Sequence, residues 1–182
     1  MSRLLLHICC APCLCHPYQV LTSKKADITG FWYNPNIHPY KEYQNRLLSV
    51  KDFSQRRDLK VIYRDEYPLE ENLEDLLRDR CNSCYLTRLE ATARQAVQDG
   101  YDHYSTTLLY SIYQRHEMIR DQGIEIGRRL GINFLYRDFR TGWDEGRAIA
   151  KEMDLYRQKY CGCIFSERDR YLKIRKPKTK DQ

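Results

Sequence analysis

Leu4-Leu5-Leu6-His7-Ile8-Cys9-Cys10-Ala11-Pro12-Cys13 is the stretch that decides the fold. Five residues of nearly continuous apolar character, closed by a sulfur-rich turn, read as a strand covered on both faces. The run is too short for the core of a secretion signal and meets cysteines instead of a small-residue cleavage site. It is therefore expected to be the buried first strand of a cytosolic protein. The same signal returns at residues 28–33 (Ile-Thr-Gly-Phe-Trp-Tyr), 60–63, 103–107 and 133–136,. Amphipathic stretches at 15–23, 40–58, 69–79, 85–98 and 112–130 read as helices, with Gly100 and Gly131 just past two of them as stops,. This alternation predicts an α/β fold, a parallel sheet with helices on both faces. No repeat or linker interrupts it, so residues 1–172 are expected to form one domain, followed by a basic tail at 173–182.

At 182 residues the chain is long enough to bury a real core,. It contains no run of about 18 apolar residues, so no membrane span is expected. The net charge of +6 permits a polyanionic partner,. The tail Lys173-Ile174-Arg175-Lys176-Pro177-Lys178-Thr179-Lys180 concentrates that charge. It reads either as a solvated terminus or as a phosphate-contacting arm. Eight cysteines in a reducing compartment point away from a disulfide framework and toward metal binding or thiol redox chemistry,.

Open α/β sheets bind ligands beyond the carboxyl ends of their strands. Cys9–Cys13 follows the first expected strand, and Tyr33-Asn34-Pro35-Asn36 the second. Thr106-Thr107 closes the fourth, and Asp138-Phe139-Arg140 follows the fifth. The cysteines fall into three groups: Cys9-Cys10-x-x-Cys13, Cys81-x-x-Cys84 and Cys161-Gly162-Cys163. Each lets a single loop offer two sulfurs to one centre, and Gly162 frees the backbone to bend between its neighbours. Spacing alone leaves iron–sulfur, tetrahedral zinc and metal-free thiol chemistry open. Cys15 reads as a small buried hydrophobe.

His7-Ile8-Cys9-Cys10-Ala11-Pro12-Cys13, Phe31 through Pro39 with Glu42-Tyr43 and Arg46, Arg80-Cys81-x-x-Cys84 with Arg88-Leu89, Thr106-Thr107-Leu108, Asp138-Phe139-Arg140 and Leu155 through Ser166 occur in this order. Together they resemble the QueH family, the cobalamin-independent epoxyqueuosine reductases. Ile112 stands where the family pattern has proline, and residues 143–150 match loosely. The resemblance implies a Rossmann-like fold of the adenine-nucleotide α-hydrolase and PP-loop group. It also implies a 4Fe–4S cluster beside a mononuclear iron, and the last step of queuosine formation in tRNA. Seven cysteines match and Cys15 has no counterpart. Grouping them, we expect Cys10, Cys81, Cys84 and Cys163 on the cluster and Cys9, Cys13 and Cys161 on the lone iron.

The implied reaction removes an epoxide oxygen as water, with two electrons and two protons. His7, Tyr33, Asp138 and Tyr160 are the candidate proton donors or relays. Single-stranded RNA loops are read by stacking bases on aromatic rings and guanidinium planes. The expected contacts to base, sugar or phosphate are Asn34, Asn36, Arg46, Arg80, Arg88, Thr106, Arg115, Arg140 and Arg157. The expected partners are tRNA carrying epoxyqueuosine in its anticodon loop and an external donor such as ferredoxin or flavodoxin. Two rival readings remain: a zinc-stabilised RNA-binding module and an ATP-using PP-loop enzyme. The second is disfavoured because Cys9–Cys13 holds no glycine to wrap a phosphate,.

Overall fold

The computed structural model describes residues 2–172, so the tail expected at 173–182 lies outside the described residues. Five strands form one parallel sheet: β1 (Arg3–His7), β2 (Asp27–Trp32), β3 (Val61–Tyr63), β4 (His103–Thr106) and β5 (Asn133–Phe134), in the order β3-β2-β1-β4-β5. The helices are α1 (Ala11–Ser23), α2 (Tyr40–Arg56), α3 (Leu69–Gln98), α4 (His116–Leu130), α5 (Trp143–Glu152) and α6 (Ile164–Tyr171). The chain winds outward from β1 to β3, then crosses back to add β4 and β5. Right-handed crossovers put α1 and α2 on one face and α3 and α4 on the other. The packing agrees, since α1 lies against α2 and α5 and α3 against α4. Strand order reverses between β1 and β4, so the crevice opens beyond their carboxyl ends.

β1 is central and flanked on both edges, which its unbroken apolar run anticipates. Leu4, Leu5, Leu6 and Ile8 have almost no exposed surface, and each contributes roughly 1.5–3 kcal/mol of burial. A Cβ at Gly30 of β2 would lie 2.5 Å from Ile8 Cδ1, so only glycine lets Ile8 seat there.

Several boundaries differ from the sequence reading. α1 begins at Ala11, four residues early, because Pro12 suits a first helical turn and Cys10 takes the capping position,. Residues 80–84 are not a loop. α3 runs through them and breaks only at Asp79 (φ −154°, ψ 85°). α4 begins at His116, not at 112, because Ser111 closes a turn: its carbonyl and hydroxyl accept from Gln114 N and Tyr113 N, both at 3.3 Å. β4 ends at Thr106, and Thr107–Tyr110 form a 3-10 turn. β5 keeps two residues, although Leu135 N still donates to Tyr104 O at 2.8 Å.

α5 and α6 were not anticipated. Two glycines hide α5, yet both are needed for packing. A Cβ at Gly142 would land on the His16 ring, and one at Gly146 on the Tyr110 hydroxyl. His16 Nδ1 and Glu145 Oε2, 2.9 Å apart, then fasten α1 to α5. Among the described residues no helix is long and apolar enough to cross a membrane.

Candidate metal centre

The three cysteine groups share one local setting: each lies at the start of a helical run. Cys10 caps α1, Cys163 caps α6, and Cys81 and Cys84 fall in the first turns after the break at Asp79. Neither capping cysteine uses its side chain to close the helix, which leaves the sulfurs for other work. A helix start carries positive partial charge and favours thiolate over thiol. Gly162, between two cysteines, takes φ +128°, a conformation that side chains disfavour,. A Cβ there would also press on Arg46 Nη1 and Ile37 at 3.2 Å.

Cys9, Cys10 and Cys13 bring their sulfurs within 4.8 Å of one another, the one such trio of metal-binding side chains among the described residues. Cys9 and Cys10 Sγ lie 3.8 Å apart, as do Cys161 and Cys163 Sγ. Two thiolates on one tetrahedral ion with metal–sulfur bonds near 2.3 Å stand roughly 3.8 Å apart. The soft, closely set donors therefore fit iron or zinc chemistry. In space Cys10 stands with Cys9 and Cys13, and Cys161 stands with Cys163. The expected division set Cys10 beside Cys81 and Cys84, and Cys161 beside Cys9.

Charge is shared unevenly within the first and third groups. Hydrogen bonds from Cys10 and Cys13, helped by Thr107, hold the Cys9 thiol well below its ordinary pKa, while burial pushes Cys10 up and its two neighbours push Cys13 up. The hydrogen bond from Cys163 lowers Cys161 to about 5, and that pairing raises Cys163. One thiolate forms readily in each of these two groups, and an incoming metal must displace the remaining protons,.

Two buried arginines face these sulfurs. Arg88 donates to the Cys84 carbonyl and to Cys84 Sγ, both at 2.9 Å. Arg46 is only 2% exposed. It donates to the Cys161 carbonyl at 3.0 Å and the Tyr160 carbonyl at 2.9 Å, and pairs with Glu42 Oε1 at 2.7 Å. Its charge also acts on Cys10 and Cys161, and that of Cys161 acts on Cys84. The three groups are thus close enough to feel one another around a common cationic support. The sequence reading expected both arginines to contact phosphate or substrate, but both are buried and engaged within the protein, so neither is available to RNA phosphates. We expect Arg46→Met to destabilise the fold by roughly 3–5 kcal/mol, because it leaves Glu42 buried and unpaired. Thermal unfolding of the variant checks this, and adding Glu42→Gln should restore part of the loss.

The other expected residues divide clearly. Both ring nitrogens of His7 are used: Nε2 is 3.2 Å from the Tyr33 carbonyl and Nδ1 2.9 Å from Thr106 Oγ1. A carbonyl only accepts, so the proton sits on Nε2 and Nδ1 takes the threonine proton. Burial, with Arg88 nearby, lowers the His7 pKa to about 4. His7 and Thr106 are therefore a neutral clamp across β1 and β4, with no spare proton. Asp138 is bound by Arg140 through two side-chain contacts of 2.9 and 2.6 Å, which lower its pKa to about 2. That geometry pairs Asp138 with Arg140, one of the two ion-pair partners its sequence position offered. Tyr160 donates its proton to the His38 carbonyl. Tyr33 lies under the Arg64 guanidinium at 4.4 Å, and burial raises its pKa.

Arg80 bonds Asp169 at 2.7 Å and ties α3 to α6 beside Cys163. Arg115 and Arg157 are exposed. Asn34 donates to the Ile8 carbonyl at 2.8 Å. Its Oδ1 and that of Asn36 are buried without a partner. Cys15 donates to the Ala11 carbonyl at 3.4 Å and packs in α1, as expected.

Two residues were missed. Thr107 Oγ1 accepts from Cys9 N at 3.0 Å and donates to Cys9 Sγ at 3.3 Å. Its sequence signals are its place in a threonine pair at a strand end and in the Thr106-Thr107-Leu108 motif of the resemblance. Gln158 Nε2 lies 2.9 Å from Cys10 Sγ and 3.9 Å from Cys13 Sγ. Its signals were its nearness to Cys161 and its place in the Leu155–Ser166 stretch that carries the family resemblance, neither of which singles it out.

A model of the family described as epoxyqueuosine reductase QueH matches residues 4–169. Epoxyqueuosine reductase QueH of Dehalococcoides mccartyi is 35% identical over 178 residues, covering 96% of this chain and 98% of that protein. The protein of the same name from Thermotoga maritima is 37% identical over 181 residues, covering 91% of each. Among solved structures, the U34-tRNA thiolase NcsA from Methanococcus maripaludis with its 4Fe-4S cluster aligns with a TM-score of 0.62 at 15% identity. That alignment covers 91% of this chain and 61% of the thiolase. A structure described as a predicted subunit of tRNA methyltransferase from Methanocaldococcus jannaschii aligns at 0.57 and 14% identity, over 84% of this chain and 75% of that one. Both likenesses are of fold, and they agree with the parallel α/β sheet anticipated from the sequence.

Proposed function

This chain belongs to the epoxyqueuosine reductase QueH family, and on that premise we propose that it reduces epoxyqueuosine to queuosine at the wobble position of tRNA. The reaction breaks both epoxide C–O bonds, takes up two electrons and two protons, and yields an alkene and water. The observation that carries this reading is the gathering of three cysteine groups, each at a helix start, around buried Arg46 and Arg88.

The sulfur spacing favours a regrouping of the ligands. Cys9, Cys10 and Cys13 form the compact trio suited to a single iron with an open position,. Cys81, Cys84, Cys161 and Cys163 are then the four thiolates of a 4Fe–4S cluster. When bound, this pair of centres supplies one-electron steps from the cluster and Lewis-acid activation of the epoxide oxygen at the iron. The chain's own part is to hold sulfurs and charge in place. Thr107 fixes Cys9, Gln158 fixes Cys10, Arg88 supports Cys84, and Arg46 clamps the backbone that carries Cys161.

His7 is neutral and fully bonded, so water reaching the open rim is the proton source we favour. A ferredoxin or flavodoxin in the cytoplasm is the proposed electron donor. Incubating anaerobically reduced protein with tRNA bearing epoxyqueuosine, without ATP, should convert it to queuosine. An absolute need for ATP would favour the PP-loop rival, and no conversion with a reduced, iron-loaded protein would contradict the proposal.

For the RNA, the turn beyond β4 presents Ile112 and Tyr113, 48% and 79% exposed, with Tyr113 edge-on to Trp143 at 5.6 Å. The exposed Tyr113 ring suits base stacking, with Ile112 as an apolar neighbour,. Tyr113→Ala is expected to weaken binding of an anticodon stem-loop by about 1–3 kcal/mol, with metal content unchanged. Titration with the stem-loop RNA measures it.

A further inference from the structure

The carboxamide of Gln158 has one end on the thiol trio and the other end on nothing. Its Nε2 lies 2.9 Å from Cys10 Sγ and 3.9 Å from Cys13 Sγ, while its Oε1 is buried without a hydrogen-bond partner. Buried polar atoms are nearly always paired, and a glutamine that merely joined two parts of a scaffold would be tied at both ends. The orientation also follows from chemistry. A metal-bound thiolate only accepts hydrogen bonds, so an amide beside it must turn its N–H toward sulfur. Gln158 stands three residues before Cys161, in the segment that Arg46 clamps. It therefore connects the third cysteine group to the first.

We propose that Gln158 is a positioning residue for the metal trio, its amide N–H holding the Cys10 sulfur and drawing electron density from it. This rests on the reading that Cys9, Cys10 and Cys13 hold a single ion. A hydrogen bond to a ligating sulfur stabilises the lone pairs that are promoted in sulfur-to-metal charge transfer. Removing it should move those bands to lower energy and weaken the metal's hold.

The test uses the full chain, stripped of metal and titrated with Co(II) alone. Bands absent from Cys9→Ala are those of the trio. Gln158→Met removes the donor at constant length, and Gln158→Glu replaces it with an acceptor of the same shape. Both variants are expected to shift the trio's bands to lower energy and to bind Co(II) about 10–100-fold more weakly. If the Met variant does not fold, the isosteric Glu variant decides. Unmoved bands and unchanged affinity overturn the role of Gln158 while leaving the trio standing. A wild-type chain that gives no cobalt–thiolate bands contradicts the metal reading itself, and the role of Gln158 with it.

Discussion

Cys81→Ala is expected to abolish the visible colour of the anaerobically purified protein and its activity together. Cys81 and Cys84 lie one helical turn apart on α3, immediately after the break at Asp79. Side chains at that spacing share a face, so one helix start presents both sulfurs to the same centre. Cys84 is further fixed by Arg88, which donates to its carbonyl and its sulfur. A cubane of iron and sulfide needs an anchor at each iron, and a methyl group in place of a thiolate supplies none. The loss of activity should exceed the 10–100-fold that is typical when only an outer partner of a metal ligand is removed. Absorption near 400 nm and turnover of epoxyqueuosine in tRNA measure the two effects. A Cys81→Ala protein with full cluster colour would remove this residue from the ligand set.

Cys9→Ala is expected to divide what Cys81→Ala loses as one. Cys9 belongs to the compact trio, and its sulfur and amide are both held by Thr107. With Cys9 gone, Cys10 and Cys13 remain as two thiols, too few to retain a single ion against water. The cluster on the other four cysteines should survive. The variant should therefore stay coloured, carry about one iron fewer per chain, and lose more than the roughly 100-fold in activity that outer partners cost at most. Iron analysis beside the spectrum checks this. Equal loss of colour in the Cys9 and Cys81 variants would show that the two sets of sulfurs are not separate.

The sheet was legible because a strand buried on both faces must be apolar throughout, and Leu4-Leu5-Leu6 followed by Ile8 allows little else,. The cysteine groups were legible because sulfur chemistry resides in residue type. What the sequence concealed has physical reasons. α1 and α6 begin at cysteines, whereas the usual sign of a helix start is a hydroxyl or carboxamide cap,. Glu42 and Arg46 have the i, i+4 spacing of an ordinary surface pair, and only the fold buries them,. Asp138 read equally as a chemical group or as an ion-pair partner of Arg140 or Arg157, and only the fold shows that the partner is Arg140. The glycines that admit His16 and Tyr110 to α5 weaken its helical pattern,. Gln158 stands within the stretch that carries the family resemblance, but its role stayed hidden because it depends on a contact with Cys10, 148 residues away in sequence.

Iron, acid-labile sulfide and zinc per chain, determined on protein kept free of oxygen, test the account most directly. About five iron and about four sulfide per chain, with negligible zinc, are the predicted values for a 4Fe–4S cluster beside one iron. One or two zinc ions per chain with no sulfide would contradict it, because a colourless zinc protein has no electrons to give an epoxide.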